Sequence, residues 1–255
     1  MNKLDKLSAI RHALAGNGTS IGSWMQIPHA SVAELMGDAG FDWIAIDLEH
    51  GSISLHQLPD LCRAIELGNT LPLVRLAQGG LSECKQALDA GAAGVIVPMV
   101  ETADQLRRVA AACRWPPAGT RGVGFSRANL FGKRFADYQH EAQAPLLVAM
   151  IEHVSTLEHL PEILSVEGLD AIFIGPYDLS ASMGLTGRFD EPDFKAVTGR
   201  IRTLADAASI ACGVHVVAPS REELAARIND GYRFVAHSID AVFLSSSLRN
   251  AHLPA

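Results

Sequence analysis

The ten residues DWIAIDLEHG, at positions 42–51, join a strand-like apolar run to an abrupt change of chemistry. The run WIAI is followed by Asp47, Glu49 and His50, and then by Gly51. Near-continuous apolar runs are typical of strands that are buried on both faces in a parallel sheet. In parallel α/β barrels the active site lies at the carboxyl ends of the strands. A buried strand that ends in ionisable side chains therefore indicates a functional site at that end.

The rest of the chain repeats this alternation of short apolar runs and amphipathic helical segments. Several helical segments, among them LSECKQALDAG and SREELAARINDG, end at glycine, a common residue at helix C-termini. The apolar runs predict strands near residues 20–25, 43–47, 72–76, 94–98, 146–151, 170–174, 211–216 and 233–236. Eight strand–helix units in 255 residues predict an α/β protein with a (β/α)8 barrel, the TIM barrel, rather than an open doubly wound sheet.

One interval does not follow the alternation. Residues 115–144, WPPAGTRGVGFSRANLFGKRFADYQHEAQA, form a long connection rich in proline, glycine and arginine. Connections of this length are usually either functional or disordered. We expect an ordered loop over the barrel mouth, with an inserted helix around 131–143. No linker or low-complexity tract divides the chain, so residues 1–255 are predicted to form a single domain with this insertion.

The composition argues against several classes of partner. A net charge of −7 and a scarcity of lysine argue against nucleic acid or an anionic membrane surface. No apolar run approaches the ~18 residues needed to span a membrane, and the N-terminal segment reads as an amphipathic helix rather than a signal peptide. The four cysteines are scattered without a C-x-x-C pair, which favours buried thiols over a disulfide framework or a zinc site. We therefore expect a cytoplasmic protein that binds neither nucleic acid nor membrane.

Four of the predicted strands carry ionisable side chains at their ends, on what would be one rim of a barrel. These residues are Asp47, Glu49 and His50 after the second strand, Arg75 in the third, Glu152 after the fifth and Asp178 after the sixth. Buried charges placed close together are costly unless they pair or bind a cation. Glu152 and Asp178 provide the hard oxygen ligands that Mg²⁺ and Mn²⁺ prefer. We predict a metal site there, with a helix cap at Asp178 and an ion pair at Glu152 as the structural alternatives.

Six segments carry a family resemblance: AIDLEHG, PLVRL, ALDAGAAGVIVPMVETADQ, GTRGVGFSRAN, AMIEH and IFIGPYDLSASMG. Their order and spacing resemble those of the class II pyruvate aldolases, the 2,4-dihydroxyhept-2-enedioate and 2-dehydro-3-deoxyglucarate aldolases, over roughly residues 5–245. The resemblance implies a (β/α)8 barrel whose Glu152 and Asp178 hold a divalent metal cation (Mg²⁺, Mn²⁺ or Co²⁺). It also implies a 2-keto acid that chelates the metal, an aldehyde partner, and a homo-oligomer, with a hexamer as the form the family suggests.

The resemblance further implies roles for individual side chains. It implies that Arg75 contacts the keto oxygen and that His50, paired with Asp47, handles the proton. Trp24 is similar to a family tryptophan beside the pyruvate, with plain core packing as the alternative. Asp89 is similar to a family aspartate that reaches the site of a neighbouring subunit, with a solvated helix surface as the alternative.

Two further groups are candidates because of their position. The turn of Gly175, Pro176 and Tyr177 could present backbone N–H groups to a substrate carboxylate, as helix N-termini do. Arg121, on the long loop, could contact the tail of the aldehyde, with a charged loop facing water as the alternative. Glu49 is left open between a water-mediated metal contact and a surface position.

Breaking a carbon–carbon bond beside a ketone requires a group that holds the developing negative charge, either a lysine Schiff base or a metal-bound enolate. None of the lysines lies at a predicted strand end, so the metal route is favoured, with Arg75 stabilising the oxygen charge. We predict a carbon–carbon lyase that reversibly cleaves a 2-keto-4-hydroxy acid into an aldehyde and pyruvate or hydroxypyruvate. The alternatives are a related metal-enolate lyase acting on a thioester or a decarboxylation substrate, and a non-catalytic barrel that binds a keto acid.

Two residues depart from the family pattern. Met150 stands where many members have glutamine, and His215 stands near the end of the seventh strand, where an apolar residue is common. We expect His215 to be packed or hydrogen-bonded rather than to act as a second base. Both departures leave the choice of substrate open.

Overall fold

A closed barrel of eight parallel strands forms the centre of the molecule. The computed structural model describes residues 2–16 and 18–249. Each strand pairs with its neighbours in chain order, and β8 pairs with β1 to close the barrel. The strands are β1 Ser20–Met25, β2 Trp43–Asp47, β3 Leu71–Arg75, β4 Gly94–Val97, β5 Leu146–Ile151, β6 Ala171–Ile174, β7 Ala211–Val216 and β8 Phe234–Ile239. The predicted (β/α)8 barrel is confirmed.

Helices cover the outside of the barrel and bury a continuous aliphatic layer against the strands. They are α1 Lys3–Ala15, α2 Ala30–Asp38, α3 Leu58–Leu67, α4 Leu81–Ala90, α5 Ala103–Cys113, α6 Phe135–Gln143, α7 Leu160–Leu164, α8 Pro176–Ser182, α9 Pro192–Ala207, α10 Arg221–Asn229 and α11 Asp240–Arg249. Because helices pack on the outer face and side chains fill the inner face, strands such as β2 are buried at every position. Among the described residues, no helix combines the length and the apolar character that crossing a membrane requires.

The amino end of the barrel interior is filled by aromatic rings. Trp43, the first residue of β2, is fully buried and stacks on Phe234, the first residue of β8, with ring centroids 4.4 Å apart. Gly22, its partner in β1, leaves room for this ring, since a Cβ at that position would lie 2.0 Å from the indole. This end is therefore packed with side chains, and open space in the barrel remains at the carboxyl ends of the strands.

The connection at residues 115–144 lies on a different side of the barrel from the one expected. Its inserted helix is found as α6, but the preceding segment turns away from the carboxyl ends of the strands. Arg127 donates to the carbonyl of Ala90 (3.4 Å) and forms an ion pair with Glu66, near the C-terminal ends of α4 and α3. These helix ends adjoin the amino ends of the following strands and attract a guanidinium through their carbonyl groups. The expectation of a loop over the barrel mouth is therefore wrong.

Candidate active site

A cavity of about 260 Å³ opens at the carboxyl ends of the strands. Side chains from β1, β2, β3, β5, β6, β7 and β8 or from the loops that follow them line it. Nine of the predicted site residues are among them: Trp24, Asp47, His50, Arg75, Glu152, Gly175, Pro176, Tyr177 and Asp178. The two departures from the family pattern, Met150 and His215, line the same cavity. Residues far apart in the sequence thus meet at one rim, as the positions of the strand ends predict.

Asp47 and Arg75 form a buried ion pair across neighbouring strands. They face each other in the register of β2 and β3, and the guanidinium binds the carboxylate with two parallel hydrogen bonds, Nε to Oδ1 (2.8 Å) and Nη2 to Oδ2 (2.6 Å). The side-chain amide of Gln26 adds a third hydrogen bond to Oδ2 (2.9 Å). Burial alone would raise the pKa of Asp47, but the hydrogen bonds and the positive charge of Arg75 hold it below its usual value. The charged form of Asp47 is therefore stabilised, and its carboxylate fixes Arg75 in one orientation.

The contact predicted between Asp47 and the ring of His50 is replaced by a different one. Oδ1 of Asp47 accepts hydrogen bonds from the backbone N–H groups of Glu49 (3.0 Å) and His50 (3.2 Å). In the part of the chain that the structure describes, no hydrogen bond joins this carboxylate to the imidazole, because its oxygens are already occupied by five N–H groups. Asp47 thus shapes the turn that carries His50 rather than orienting the imidazole. Gly51 completes that turn, since a Cβ there would lie 2.3 Å from the Asp47 carbonyl oxygen.

Glu49, which the sequence leaves open, pairs with Arg75. One of its carboxylate oxygens lies 3.1 Å from Nη1 of the guanidinium. Burial raises the pKa of the Glu49 carboxyl despite this positive neighbour. Arg75 therefore stands between two carboxylates, and its guanidinium also lies 4.5 Å above the centre of the Trp24 ring. These contacts leave the guanidinium little freedom to move.

Glu152 is a buried carboxylate without a positively charged hydrogen-bond partner among the described residues. It is 2% exposed, and its Oε2 accepts a hydrogen bond from the backbone N–H of Met99 (2.8 Å). Met99 holds its N–H in this position through a left-handed backbone conformation (φ 47°). Gly175 lies against the other oxygen, where a Cβ would approach Oε1 to 2.3 Å. The Glu152 carboxylate therefore lies between the Met99 N–H and Gly175, in space that a side chain at position 175 would occupy.

The acidic side chains around Glu152 fit a divalent cation. Burial raises the pKa of Glu152 to about 7, and the carboxylates of Glu49 and Asp178 add to the rise. A bound cation would relieve this concentration of negative charge. No cluster of three or more His, Cys, Asp or Glu side chains within residues 2–16 and 18–249 could hold a metal by itself. A cation at Glu152 and Asp178 would thus have two protein ligands, with water and substrate completing its coordination, which suits Mg²⁺.

The turn at the start of α8 offers fewer N–H groups than the sequence suggests. The N–H of Gly175 donates to the carbonyl of Ile151 (3.3 Å), and Pro176 has no N–H. Of the three residues predicted to contact a substrate carboxylate through their backbone, Tyr177 alone keeps an N–H for that contact. The contribution of Gly175 is the space it leaves for Glu152.

Two predicted substrate-binding residues lie outside this cavity. Asp89 lies on α4 beside the insertion. Arg121 is 3% exposed, donates to the hydroxyl of Tyr138 (2.9 Å) and lies 5.7 Å from the ring centres of Trp115 and Tyr138. A contact between Arg121 and a substrate in the cavity of the same chain is therefore excluded, because the guanidinium is buried under the insertion instead.

Sequence reasoning missed two residues that support Asp47. Asp240, which is 4% exposed, accepts hydrogen bonds from the backbone N–H groups of Gln26 (3.0 Å) and Ile27 (2.8 Å). This fixes the loop from which the Gln26 side chain reaches Asp47. Gln26 directly follows the first predicted strand, so its position at a strand end was a usable signal. Asp240 had no such signal, because the eighth strand was predicted to end at residue 236 and Asp240 therefore did not lie at a predicted strand end.

His215 is hydrogen-bonded, as the sequence analysis expects. Its Nε2 lies 3.2 Å from the carbonyl oxygen of Ser238, and its ring centre lies 5.9 Å from that of Trp24. Burial lowers the pKa of His215 to about 4, and the positive charge of Arg75 acts in the same direction. The imidazole is therefore neutral at physiological pH.

This lowered pKa predicts a loss of stability in acid. The unfolded chain has a histidine pKa near ~6.5, so it binds the proton more readily than the folded chain, and stability falls as the pH drops from about 6.5 towards 4. Between pH 7 and pH 5 a His215→Leu variant should lose about 2 kcal/mol less free energy of unfolding than the wild type. Urea unfolding at the two pH values measures the difference, with His140→Gln, on the exposed face of α6, as the control for removal of an imidazole. Equal losses in His215→Leu and wild type would contradict the prediction.

The carboxyl rim of this eight-stranded parallel barrel carries a carboxylate pair, a fixed arginine and a histidine. These are the groups that a carbon–carbon lyase acting on carbonyl compounds requires. The comparisons with known proteins agree. The chain belongs to the HpcH/HpaI aldolase/citrate lyase family, whose profile matches residues 20–246. This confirms the family resemblance and the prediction of an enzyme.

Similar proteins cover nearly the whole chain. It is 37% identical over 242 residues to a hydroxypyruvate/pyruvate aldolase from Roseobacter denitrificans, covering 93% of both chains. It is also 37% identical over 242 residues to a 4-hydroxy-2-oxo-heptane-1,7-dioate aldolase from Salmonella dublin, covering 93% of this chain and 90% of the other. Among solved structures, an HpcH/HpaI aldolase/citrate lyase family protein from Burkholderia cenocepacia J2315 superposes with a TM-score of 0.88 at 30% identity, covering 95% of this chain and 97% of the other.

Proposed function

We propose that this chain is a divalent-metal-dependent aldolase that reversibly cleaves a 2-keto-4-hydroxy acid into an aldehyde and pyruvate or hydroxypyruvate. The observation that carries the proposal is that Glu152, Asp178, Arg75 and His50 line one cavity. The names of the relatives, which are aldolases of pyruvate and related keto acids, support the same reaction class.

The metal and Arg75 divide the work of stabilising negative charge. A divalent cation held by Glu152 and Asp178 would supply a Lewis acid for the carbonyl of a keto acid. The guanidinium of Arg75 is held by Asp47 and Glu49, so its positive charge is already in place when charge develops on the keto oxygen. Preorganised charge of this kind requires no rearrangement during the reaction.

His50 is the residue placed to move the proton. It is exposed at the rim of the cavity, on a turn whose backbone is fixed by Asp47. Imidazole exchanges protons readily near neutral pH. In the direction of cleavage His50 would take the proton of the 4-hydroxyl group, and in the direction of addition it would return it to the aldehyde oxygen.

A His50→Asn variant separates proton transfer from metal binding. We expect its kcat to fall by about 10²–10⁴-fold, the usual contribution of a general base. Its affinity for Mn²⁺ should stay close to that of the wild type, because His50 is not a proposed ligand. Steady-state kinetics and titration calorimetry measure the two quantities, with His140→Gln as the control. Parallel loss of turnover and of metal affinity would show that His50 is a metal ligand instead.

The function itself is tested by a metal-supplemented aldolase screen. Pyruvate and hydroxypyruvate are offered as donors to several aldehydes, with and without a chelator. Aldol products that disappear on chelation and return with Mg²⁺ or Mn²⁺ are the expected result. Products that survive chelation would exclude the metal route. Turnover of coenzyme A thioesters without turnover of free keto acids would favour the alternative lyase.

We also infer that the enzyme is a homo-oligomer in the cytoplasm. The insertion exposes four large apolar side chains, whose burial against another chain would be favourable: Val123, Phe125, Leu130 and Phe131 are 55%, 73%, 49% and 65% exposed. A second copy of the chain would cover them, and Asp89 lies at the edge of the same surface. All four cysteines are buried free thiols, which suits a reducing compartment. Light scattering of the purified protein tests the assembly, and a monomer would overturn it.

A further inference from the structure

The tautomer of His215 is set by the protein. Its Nε2 lies 3.2 Å from the carbonyl oxygen of Ser238, and a carbonyl can only accept, so Nε2 carries the proton. Nδ1 therefore bears a lone pair. It receives no hydrogen bond from any described residue, and it is not among the polar atoms sealed from solvent. Since the His215 side chain lines the candidate active site, the wall of the cavity contains a neutral acceptor without a partner.

The group that holds His215 is itself fixed. Ser238 adopts a left-handed backbone conformation (φ 58°), near the point where the register between β1 and β8 shifts. Its hydroxyl donates to the carbonyl of Val217 (2.9 Å), and its carbonyl also accepts from the hydroxyl of Ser23 (3.1 Å). His215 is thus held by a rigid partner, and that partner keeps one donor if His215 is replaced. A substitution at 215 need not leave a buried carbonyl unpaired.

The carboxylates that line the cavity have other roles. The Asp47 oxygens are occupied by five N–H groups, and Glu152 and Asp178 are the proposed metal ligands. Next to His215 the wall is aromatic, because Trp24 packs edge-on against Phe173 with ring centres 5.8 Å apart. A polar group of a substrate that reaches this side meets aromatic rings and the Nδ1 acceptor of His215. A hydroxyl group is the donor that such an acceptor selects, since it is neutral and small.

We propose that Nδ1 of His215 accepts a hydrogen bond from a substrate hydroxyl group close to the carbon–carbon bond that is made or broken. The inference rests on the proposed aldolase function and narrows its substrate class to hydroxylated reactants. The hydroxyl can belong to the donor, at C3 as in hydroxypyruvate, or to the aldehyde, at C2. Both sources present the same chemistry to His215.

Four matched reactions test this assignment and distinguish the two sources. Pyruvate and hydroxypyruvate differ by the C3 hydroxyl, and acetaldehyde and glycolaldehyde differ by the C2 hydroxyl. The kcat/KM of each donor–aldehyde pair is measured for the wild type, His215→Leu and His215→Gln. Leucine removes the acceptor at similar volume. Glutamine keeps an N–H for the Ser238 carbonyl and supplies an amide oxygen as acceptor.

The wild type is expected to prefer the hydroxylated member of one pair, and His215→Leu to reduce that preference by about tenfold, the effect of one hydrogen bond. Its activity with the non-hydroxylated pair should change far less, and His215→Gln should restore part of the preference. The pair that responds identifies whether donor or aldehyde carries the hydroxyl. An equal fall in all four reactions, or an unchanged preference, would overturn the role of His215. A wild type without aldol product in any reaction would instead overturn the proposed function, and this inference with it.

Discussion

Replacing Asp178 by asparagine is expected to lower kcat/KM for aldol cleavage by at least about 10³-fold while leaving the barrel folded. The side chain of Asp178 lies at the rim, in the first turn of α8, and makes no hydrogen bond or ion pair to any residue that the structure describes. Its charge therefore has no structural partner to lose. Asparagine keeps the size of the side chain and removes the negative charge that a divalent cation requires.

Metal titration must accompany the kinetic measurement for Asp178→Asn. The affinity for Mn²⁺ should fall together with activity, and the melting temperature of the metal-free protein should stay near that of the wild type. Asp190→Asn is the matched control, because Asp190 is an exposed carboxylate that pairs with Lys195 outside the cavity. An unchanged Mn²⁺ affinity in Asp178→Asn would remove Asp178 from the metal site.

Replacing Asp47 by alanine is expected to lower the free energy of unfolding by about 3 kcal/mol and to reduce turnover strongly. Arg75 is 7% exposed, and its guanidinium would lose its two hydrogen bonds to the carboxylate. A buried charge without its partner is more costly than the absence of both groups. Glu49 remains near Nη1, which keeps the expected loss at the lower end of the range for such pairs.

A double variant identifies the cause of that loss. In Asp47→Ala/Arg75→Met the uncompensated charge is gone, so stability measured by urea unfolding should recover in part. Activity should not recover, because the guanidinium that stabilises the keto oxygen is absent. A double variant that is less stable than Asp47→Ala would show that the backbone contacts of Asp47, to Glu49 and His50, dominate instead.

The barrel was predictable because its strands are apolar throughout. Seven of the eight strands begin and end within one residue of the predicted bounds. The exception is β8, which continues to Ile239 rather than ending near residue 236. Its last residues include His237 and Ser238, whose polar side chains resemble a loop in the sequence. The strand accommodates these residues through a shift of register against β1 and a left-handed backbone at Ser238. Both features depend on the pairing of β8 with β1 that closes the barrel, and no local sequence pattern reveals that pairing.

The candidate site was predictable where it depends on strand ends and unpredictable where it depends on contacts between distant segments. Position alone placed Asp47, Arg75 and Glu152 at one rim. The preference of the Asp47 carboxylate for Arg75 over the His50 ring follows from the register of β2 and β3, which sets the guanidinium directly opposite. The course of the long loop depends on Arg127 meeting the end of α4. A composition rich in glycine and arginine does not contain that information.

The hydrogen bonds from Gln26 and Ile27 to Asp240 also govern the order in which the enzyme can mature during biosynthesis. Asp240 follows the last strand of the barrel, so a nascent chain that has left the ribosome only as far as β7 lacks the residue that anchors the loop after β1. The loop that carries Gln26, whose side chain hydrogen-bonds to Asp47, then lacks its contact with Asp240. The loop after β1 therefore reaches its observed position only after β8 and the first residue of α11 have been synthesised.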